Sequence, residues 1–441
     1  MSDMKSIGFC LDSLLEAGAE KAQCFLTEIE KHELNVEIGE LSLLRTMRST
    51  NIRLEAIRGG KRGVVSVGST VPGDIRSGAK AAVASSVSAS PDNAWDIAAK
   101  QASASFTNGV IKPDREKMFS RVQAFLAATA KNYPKIRIRN ASLEFTKKIE
   151  QVVNSNAVRL SSVYGAYKLF VNFAAHDGKK PSSINFFSVG MPDLSRPLLE
   201  CGLLDELFRR AEQQIVTTPV KGKFTGDIVV MPHCLDYFLD FVCGEALTSK
   251  MLIPGTSVYR DKIGKRIANE NLTLRSLPLS PEVSTGYYFT RDGYRAADSV
   301  IIENGILRSF LLDSYGARKT GLTRAANDGG CLVADPGTQA YTNLIKKVKK
   351  GLLIARFSGA APNEAGNFSG VAKNSFYIED GKIRFPVSET MVSGNIPEML
   401  KNINGLSSER LNLGNAVLPW ISFSGAHISG KQSGGKTAVY G

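Results

Sequence analysis

Gly226-Asp227-Ile228-Val229-Val230-Met231-Pro232, followed by His233 to Ser249, is the stretch whose reading decides the fold. The first run is apolar and closed by a proline, which is the pattern of a short buried strand. The second repeats apolar residues at Leu235, Phe238, Leu239, Val242 and Ala246, the spacing of one helical face. Its other side carries His233, Asp236 and Asp240, with Glu245 at the border, so residue type alone permits a metal or acid–base site. Spacing argues against it. A zinc-peptidase helix sets two histidines about one turn apart with a glutamate that activates the metal-bound water, and this run offers one histidine at its start. The pattern predicts a core helix with a solvated acidic face.

Working outward, 441 residues with 43% hydrophobic content suffice for about two domains. Met4 to Gly18 reads as an amphipathic helix interrupted by Lys5 and Asp12, and no apolar run is long enough to span a bilayer, so the expectation is a cytoplasmic protein with no membrane partner. Cys10, Cys24, Cys201, Cys234, Cys243 and Cys331 contain no C-x-x-C pair, which fits reduced core thiols better than a disulfide framework or zinc knuckle. His32, His176, His233 and His427 are far apart in sequence. A net charge of +13 favours anionic partners. The charge reads as diffuse, however, with its densest run at Lys346-Lys347-Val348-Lys349-Lys350, and no nucleic-acid module accompanies it, so nucleic-acid binding is not expected.

Along the chain, alternation predicts strands at Ala22–Ile29, Glu33–Ile38, Asn51–Ile57 and Val64–Val67, joined across Gly59-Gly60 as an antiparallel meander. Helices are predicted at Pro72–Ser88, Arg115–Asn132 and Pro197–Gln214, with strands at Lys135–Phe145, Val158–Leu160, Leu169–Ala175 and Ser183–Ser188 between the last two. Strands and helices in runs indicate an α+β domain over residues 1–220. The polar, proline- and glycine-bearing segment Thr217–Thr225 marks a boundary. Residues 221–441 then read as a mostly antiparallel β domain carrying the strand–helix stretch as an insertion. Its strands are Thr285–Thr290, Ser299–Glu303, Leu307–Leu312, Gly351–Arg356, Ser375–Glu379, Lys382–Phe385 and Leu418–Phe423. Asn304-Gly305 and Asp380-Gly381 predict type I′ hairpins. Gly430-Lys431-Gln432-Ser433-Gly434-Gly435-Lys436-Thr437 matches a phosphate-loop string, but only four residues remain for the long helix that loop must open, so a tail is expected.

Several strings in the second half resemble the TldD/PmbA family, long called modulators of DNA gyrase and read as a bacterial protease system. They are Asp313-Ser314-Tyr315-Gly316-Ala317-Arg318-Lys319-Thr320-Gly321-Leu322, the hairpin at Ile302 to Leu307, and the block from Phe376 to Glu389 followed by Ser393-Gly394-Asn395. TldD-like members of that family carry H-E-x-x-x-H plus a later cysteine and bind zinc; PmbA (TldE-like) members lack the set and act as partner. The resemblance puts Asp240 and Glu245 at the histidine positions, Phe241 at the glutamate position and Leu413 at the cysteine position. It therefore implies a zinc-free subunit with no cofactor of its own and no catalytic residue, pairing with a zinc-bearing TldD-like subunit that cuts unfolded peptides, and a possible homodimer when alone. Tyr315, Arg318, Lys319, Ser388, Glu389 and Asn395 are the expected cavity or interface residues. The competing classes are a regulator of a nucleic-acid enzyme and a self-sufficient peptidase with a non-zinc site.

Overall fold

The computed structural model describes residues 4–430 except 179 and 389, so the phosphate-loop string beyond Gly430, and Glu389, lie outside the described residues. The chain is an α+β protein of two lobes. Strands β1 (Lys21–Glu37), β2 (Glu40–Arg58), β3 (Lys61–Val67), β4 (Ala104–Gly109), β5 (Ile136–Asn154), β6 (Arg159–Asp177), β7 (Lys180–Pro181) and β8 (Asn185–Met191) form the first sheet. Its order is β3-β2-β1-β5-β6-β4, with β7 and β8 also on β6, and all pairs are antiparallel except β4 with β6.

Two pairs of expected strands are fused here. The expected strands at Ala22–Ile29 and Glu33–Ile38 run together as β1, in which His32, from the gap between them, and Glu33, the first residue of the second, are both buried. They are tolerated because they are bonded both within β1, His32 Nε2 to Glu30 at 2.9 Å and Lys31 to the Glu33 carboxylate, and from β2, Thr46 Oγ1 to His32 Nδ1 at 3.0 Å and Arg45 to the Glu33 carboxylate. Val158–Leu160 and Leu169–Ala175 likewise belong to one β6. The helices α1 (Met4–Glu16), α2 (Pro72–Ser88) and α3 (Arg115–Asn132) form where the 3.6-residue period runs, α3 being capped by Asp114, which accepts from Lys117 N at 2.9 Å. The expected helix over Pro197–Gln214 is instead a 3₁₀ turn at Leu198–Glu200 followed by α4 (Leu204–Gln213), separated at Gly202, whose φ is +63°.

In the second lobe, Lys223–Val230 lies centrally, antiparallel to Ala416–Ser429 and parallel to Lys350–Ile354. The hairpins at Asn304-Gly305 (φ 47° and 77°) and Asp380-Gly381 (φ 48° and 72°) form as expected. Thr285–Thr290 is not a strand. The chain turns there around Asp292, Thr290 N donating to Tyr294 O at 2.8 Å. Leu307–Leu312 contributes only Ile306–Leu307, and the strands Asn367–Lys373, Thr390–Asn395 and Ile403–Asn412 have no counterpart in the sequence reading.

The chain crosses between sheets near Thr218, yet the apolar interior does not divide there. One cluster joins Leu143, Phe173 and Phe208 of the first lobe to Val229, Met231 and Trp420 of the second. A strap from Pro91 to Gln101, which has no regular structure, ties the lobes a second time. Among the described residues, no helix is long and apolar enough to cross a membrane.

Candidate functional site in the cavity between the lobes

Where the two lobes face each other they enclose a cavity of about 1050 Å³. The first lobe supplies Gln23, Arg53, Glu55, Lys168 and Phe186 from its strands and Trp95 from the strap; the second supplies the segment after Pro232 and the turn at Asp292.

The segment after Pro232 is not the continuous helix expected over His233–Ser249. It consists of a 3₁₀ turn at Pro232–Cys234, an α-turn at Asp236–Leu239, a π-helical stretch at Asp240–Ala246 and a last turn at Ser249–Leu252 capped by Thr248. The predicted apolar face, Leu235, Phe238, Leu239, Val242 and Ala246, is buried. So are Cys234, Phe241, Cys243 and Leu247, which makes the segment an interior one whose polar side borders the cavity rather than open solvent. Asp236 of the α-turn and Asp240 and Gly244 of the π-helical stretch lie on the cavity wall. At Gly244 a Cβ would lie 2.4 Å from Asp240 Oδ1, so a larger residue there would have to displace the Asp240 carboxylate.

Of the four residues the resemblance set at the ligand and glutamate positions of the zinc site, Asp240 and Leu413 reach the cavity and Phe241 and Glu245 do not. Phe241 is buried with its ring against Gly366, and Glu245 accepts an ion pair from Lys250 at 2.5 Å. Among the described residues no three His, Cys, Asp or Glu side chains are grouped so as to hold a metal. One carboxylate and one aliphatic side chain do not fit zinc, which takes three or four nitrogen, sulfur or oxygen ligands.

At one end of the cavity the carboxylates are saturated. Asp292 receives Arg324 Nη2 and Thr290 Oγ1 on Oδ1, and Arg324 Nε, Ser314 N and Ser314 Oγ on Oδ2, at 2.5 to 2.9 Å. Burial alone would raise this carboxyl, but the Arg324 bonds and charge, helped by Thr290 and Ser314, hold it well below the usual carboxylate range. Asp328 nearby is moved the other way. Burial raises it, and the Arg291 amide and guanidinium offset that only in part. Arg53 stacks on Phe25, its Nη2 donating to Arg291 O at 2.6 Å.

At the other end, Asp236 and Asp240 make no ion pair among the described residues. Asp236 is reached by water but walled by protein; burial raises its carboxyl and the Asp240 charge adds to that. His233 packs edge-on to Phe187, and burial depresses its imidazole to about 4, leaving it neutral. Cys243, also on the wall, is pushed up to about 12 by burial and is a thiol rather than a nucleophilic thiolate.

Tyr315, Arg318 and Lys319 are engaged within the chain. The Tyr315 ring stacks on Trp95 of the strap at 3.8 Å, with Arg62 over the far face of the ring system at 4.3 Å. Tyr315 OH and Lys319 both donate to Asp92, at 3.0 and 3.2 Å, and Arg318 donates to Asp96 and to Ala94 O, both at 3.1 Å. Of these three, Tyr315 reaches the cavity. Asn395 caps the helix Ile396–Lys401, accepting from Glu398 N at 3.1 Å, and Ser388 lies in the strand Lys382–Ser388 beside a different, smaller cavity. Sequence reasoning missed Trp95, Asp292, Ser314, Arg324 and Asp328. Asp292-Gly293 and Asp328-Gly329 are turn-forming dipeptides and are the local signals available.

Residues 222–430 match the PmbA/TldA metallopeptidase C-terminal domain. A metalloprotease of Methanothermobacter thermautotrophicus is 30% identical over 281 residues, which span 59% of this chain and 61% of that protein. The metalloprotease PmbA homolog of Haemophilus influenzae is 23% identical over 96% of each chain. In structure the chain is similar to TldE from Thermococcus kodakarensis (TM-score 0.82, 18% identity, 96% of this chain and 100% of that one). It is also similar to a Bacteroides thetaiotaomicron protein described as a modulator of DNA gyrase (TM-score 0.83, 21% identity, 97% and 98%). At these identities the structural likeness is one of fold.

Proposed function

Because the chain belongs to the TldD/PmbA family, we propose that it is a zinc-free subunit of the PmbA/TldE-like branch, cytoplasmic, which pairs with a TldD-like metalloprotease chain and helps to enclose the space in which unfolded peptides are cut. The observation that carries this reading is the fate of the four zinc-site positions. Asp240 alone offers a donor to the cavity, Phe241 is locked against Gly366 and cannot take a proton from water, Glu245 is turned to Lys250, and Leu413 brings only methyl groups. The large cavity persists without the chemistry, which suits a chamber wall. A stable pairing of this kind buries more than roughly 1,000 Å² with an apolar centre.

The purified chain is expected to hold no stoichiometric zinc and to leave unfolded peptides uncut. Mixed with its cognate TldD-like chain at micromolar concentration, it should form a complex by size-exclusion with light scattering, and that complex should cleave unfolded peptide and lose activity to a chelator. One zinc per chain by elemental analysis, with chelator-sensitive activity from this chain alone, overturns the reading in favour of a self-sufficient peptidase. Two chains that stay apart, with the partner's activity unchanged, leave the regulator of a nucleic-acid enzyme as the better account. Restoring the four positions together (Asp240→His, Phe241→Glu, Glu245→His, Leu413→Cys) should give weak zinc binding at best, because Phe241→Glu places a carboxylate in an apolar interior and nothing orients the new histidines.

A further inference from the structure

Strand β8 is held on one side only. It pairs with β6 from Tyr167 opposite Met191 to Phe173 opposite Asn185, and among the described residues no strand lies along its other edge. In an antiparallel pair, alternate residues turn both main-chain groups towards the partner strand, and the residues between them turn both away. Gly190 fixes which set is which. Its N–H donates to Leu413 O of the second lobe at 2.8 Å, away from β6, so Phe186 and Ser188, two and four residues before it, also point their N–H and C=O outward. Ile184, the next of that series, agrees: its carbonyl accepts from Arg356 Nη1 and, at 3.2 Å, from Asn374 Nδ2.

The second lobe therefore closes the outer edge at Ile184 and at Gly190 and leaves the two positions between them open. Phe186 and Ser188 have no main-chain partner on that side among the described residues, and both line the cavity of about 1050 Å³. Phe186 is 53% exposed and Ser188 half-buried, so water reaches this edge. Free edges are ordinarily blunted by a lysine, a proline or a bulge. The strand Asn-Phe-Phe-Ser-Val-Gly-Met has none of these and keeps an unbroken register against β6.

We propose that an extended peptide pairs with this edge, exchanging main-chain hydrogen bonds with Phe186 and Ser188 inside the cavity. The two open positions are about 7 Å apart along the strand and engage about three residues of the guest. A single extended chain fits this room, whereas the contacts at Ile184 and Gly190 stop the edge of another folded sheet from running on past either end. Main-chain pairing gives affinity without reading side chains, which is what a wall met by many unfolded sequences requires. The proposal rests on the chamber reading above for the nature of the guest, and adds that this chain grips the peptide itself.

The test uses the full chain alone with the hexapeptide acetyl-Thr-Val-Ser-Val-Thr-Ser-amide, followed by calorimetry and residue-resolved amide exchange. In the free chain the Phe186 and Ser188 amides should exchange at least tenfold faster than those of Phe187 and Val189, which β6 holds; saturating peptide should slow the first two at least tenfold. A scrambled peptide of the same composition should bind within threefold, and a fully N-methylated one, which has no donors, at least tenfold more weakly. Ser188→Pro removes an N–H that β6 does not use, a substitution edge strands accept. It should weaken the peptide at least tenfold while the unfolding midpoint stays near that of the wild type. Absence of saturable binding up to about 5 mM, Phe186 and Ser188 amides already slow without peptide, their protection by self-association of the chain, loss of binding on scrambling, or binding untouched by Ser188→Pro overturns the proposal. These readings are made without a partner chain, so they stand apart from complex formation and chelator-sensitive cleavage, and each reading fails on its own data.

Discussion

The two ends of the large cavity carry the same side chain in opposite circumstances. Around Asp292 both carboxylate oxygens are filled, by an arginine fork, two hydroxyls and a backbone amide, and the group is held ionised. Around Asp236 and Asp240 no cation among the described residues answers the charge, and burial pushes the Asp236 carboxyl towards its neutral form. The first arrangement fixes a turn that joins residues 290, 292, 314 and 324. The second does no such holding, so carboxylates at that end persist at a cost or at no benefit to the fold. The difference separates the part of the wall that makes the cavity from the part that merely faces it.

The sharpest way to break the comparison is Asp292→Ala, which leaves the half-buried Arg324 guanidinium without its counter-charge. A loss of about 3 kcal/mol is expected from urea unfolding, and a loss under about 1 kcal/mol would show that water already serves this turn. His233 provides a pH test at the other end. Its folded value of about 4 lies below the ordinary 6.5, so the neutral ring stabilises the fold fully above pH 6.5, and that contribution is lost as pH falls through about 4. The loss should reach about 3 kcal/mol at most. The difference between wild type and His233→Gln across this window isolates it, and parallel profiles would mean that the ring is hydrated.

Leu239→Ala should cost about 2 kcal/mol, the low end for a buried leucine, because the side chain borders the cavity and its site is already open on one side. Asp240→Ala, one residue further, should change stability by less than about 0.5 kcal/mol in the same denaturation assay. A large loss from Asp240→Ala with little from Leu239→Ala would reverse the faces assigned to the segment. Asp236→Asn should give a small gain at pH 7. Its raised carboxyl favours the protonated form, so the wild type loses stability as pH rises through the folded value, and the neutral amide should abolish that slope.

What could be read in the sequence was what local chemistry decides. Pro72–Ser88 and Arg115–Asn132 have a clear helical period and begin at a proline or next to an Asp cap, and both helices form over those residues. The two glycine-containing hairpin turns are decided by two residues each. Strand lengths were not local. Residues 30 to 32 look like an interruption between two strands until Thr46 is placed beside His32, and β4, with its Ser, Thr, Asn and Gly, is a strand because β6 lies alongside it. For the cavity, Asp236 and Asp240 could be picked out by type and by their shared face, but the wall they form exists only once the lobes meet, and the π-helical stretch from Asp240 is announced by no residue pattern. Arg324 and Ser314 find Asp292 only through the fold. Tyr315, Arg318 and Lys319 carried a strong resemblance, and what they grip is a strap more than two hundred residues away in the chain.

That strap has a consequence on the ribosome. Asp96 and the Arg318 that holds it are 222 residues apart. At about 5 to 20 residues per second, roughly 11 to 44 seconds separate their synthesis. Within that interval β4 to β8 are still to be made, and Trp95 has neither Tyr315 to stack on nor any second lobe to close against. The nascent chain therefore carries an uncovered indole and an unclosed apolar seam until the last third of the protein emerges, which makes this seam the place where a chaperone would find its longest opportunity to bind.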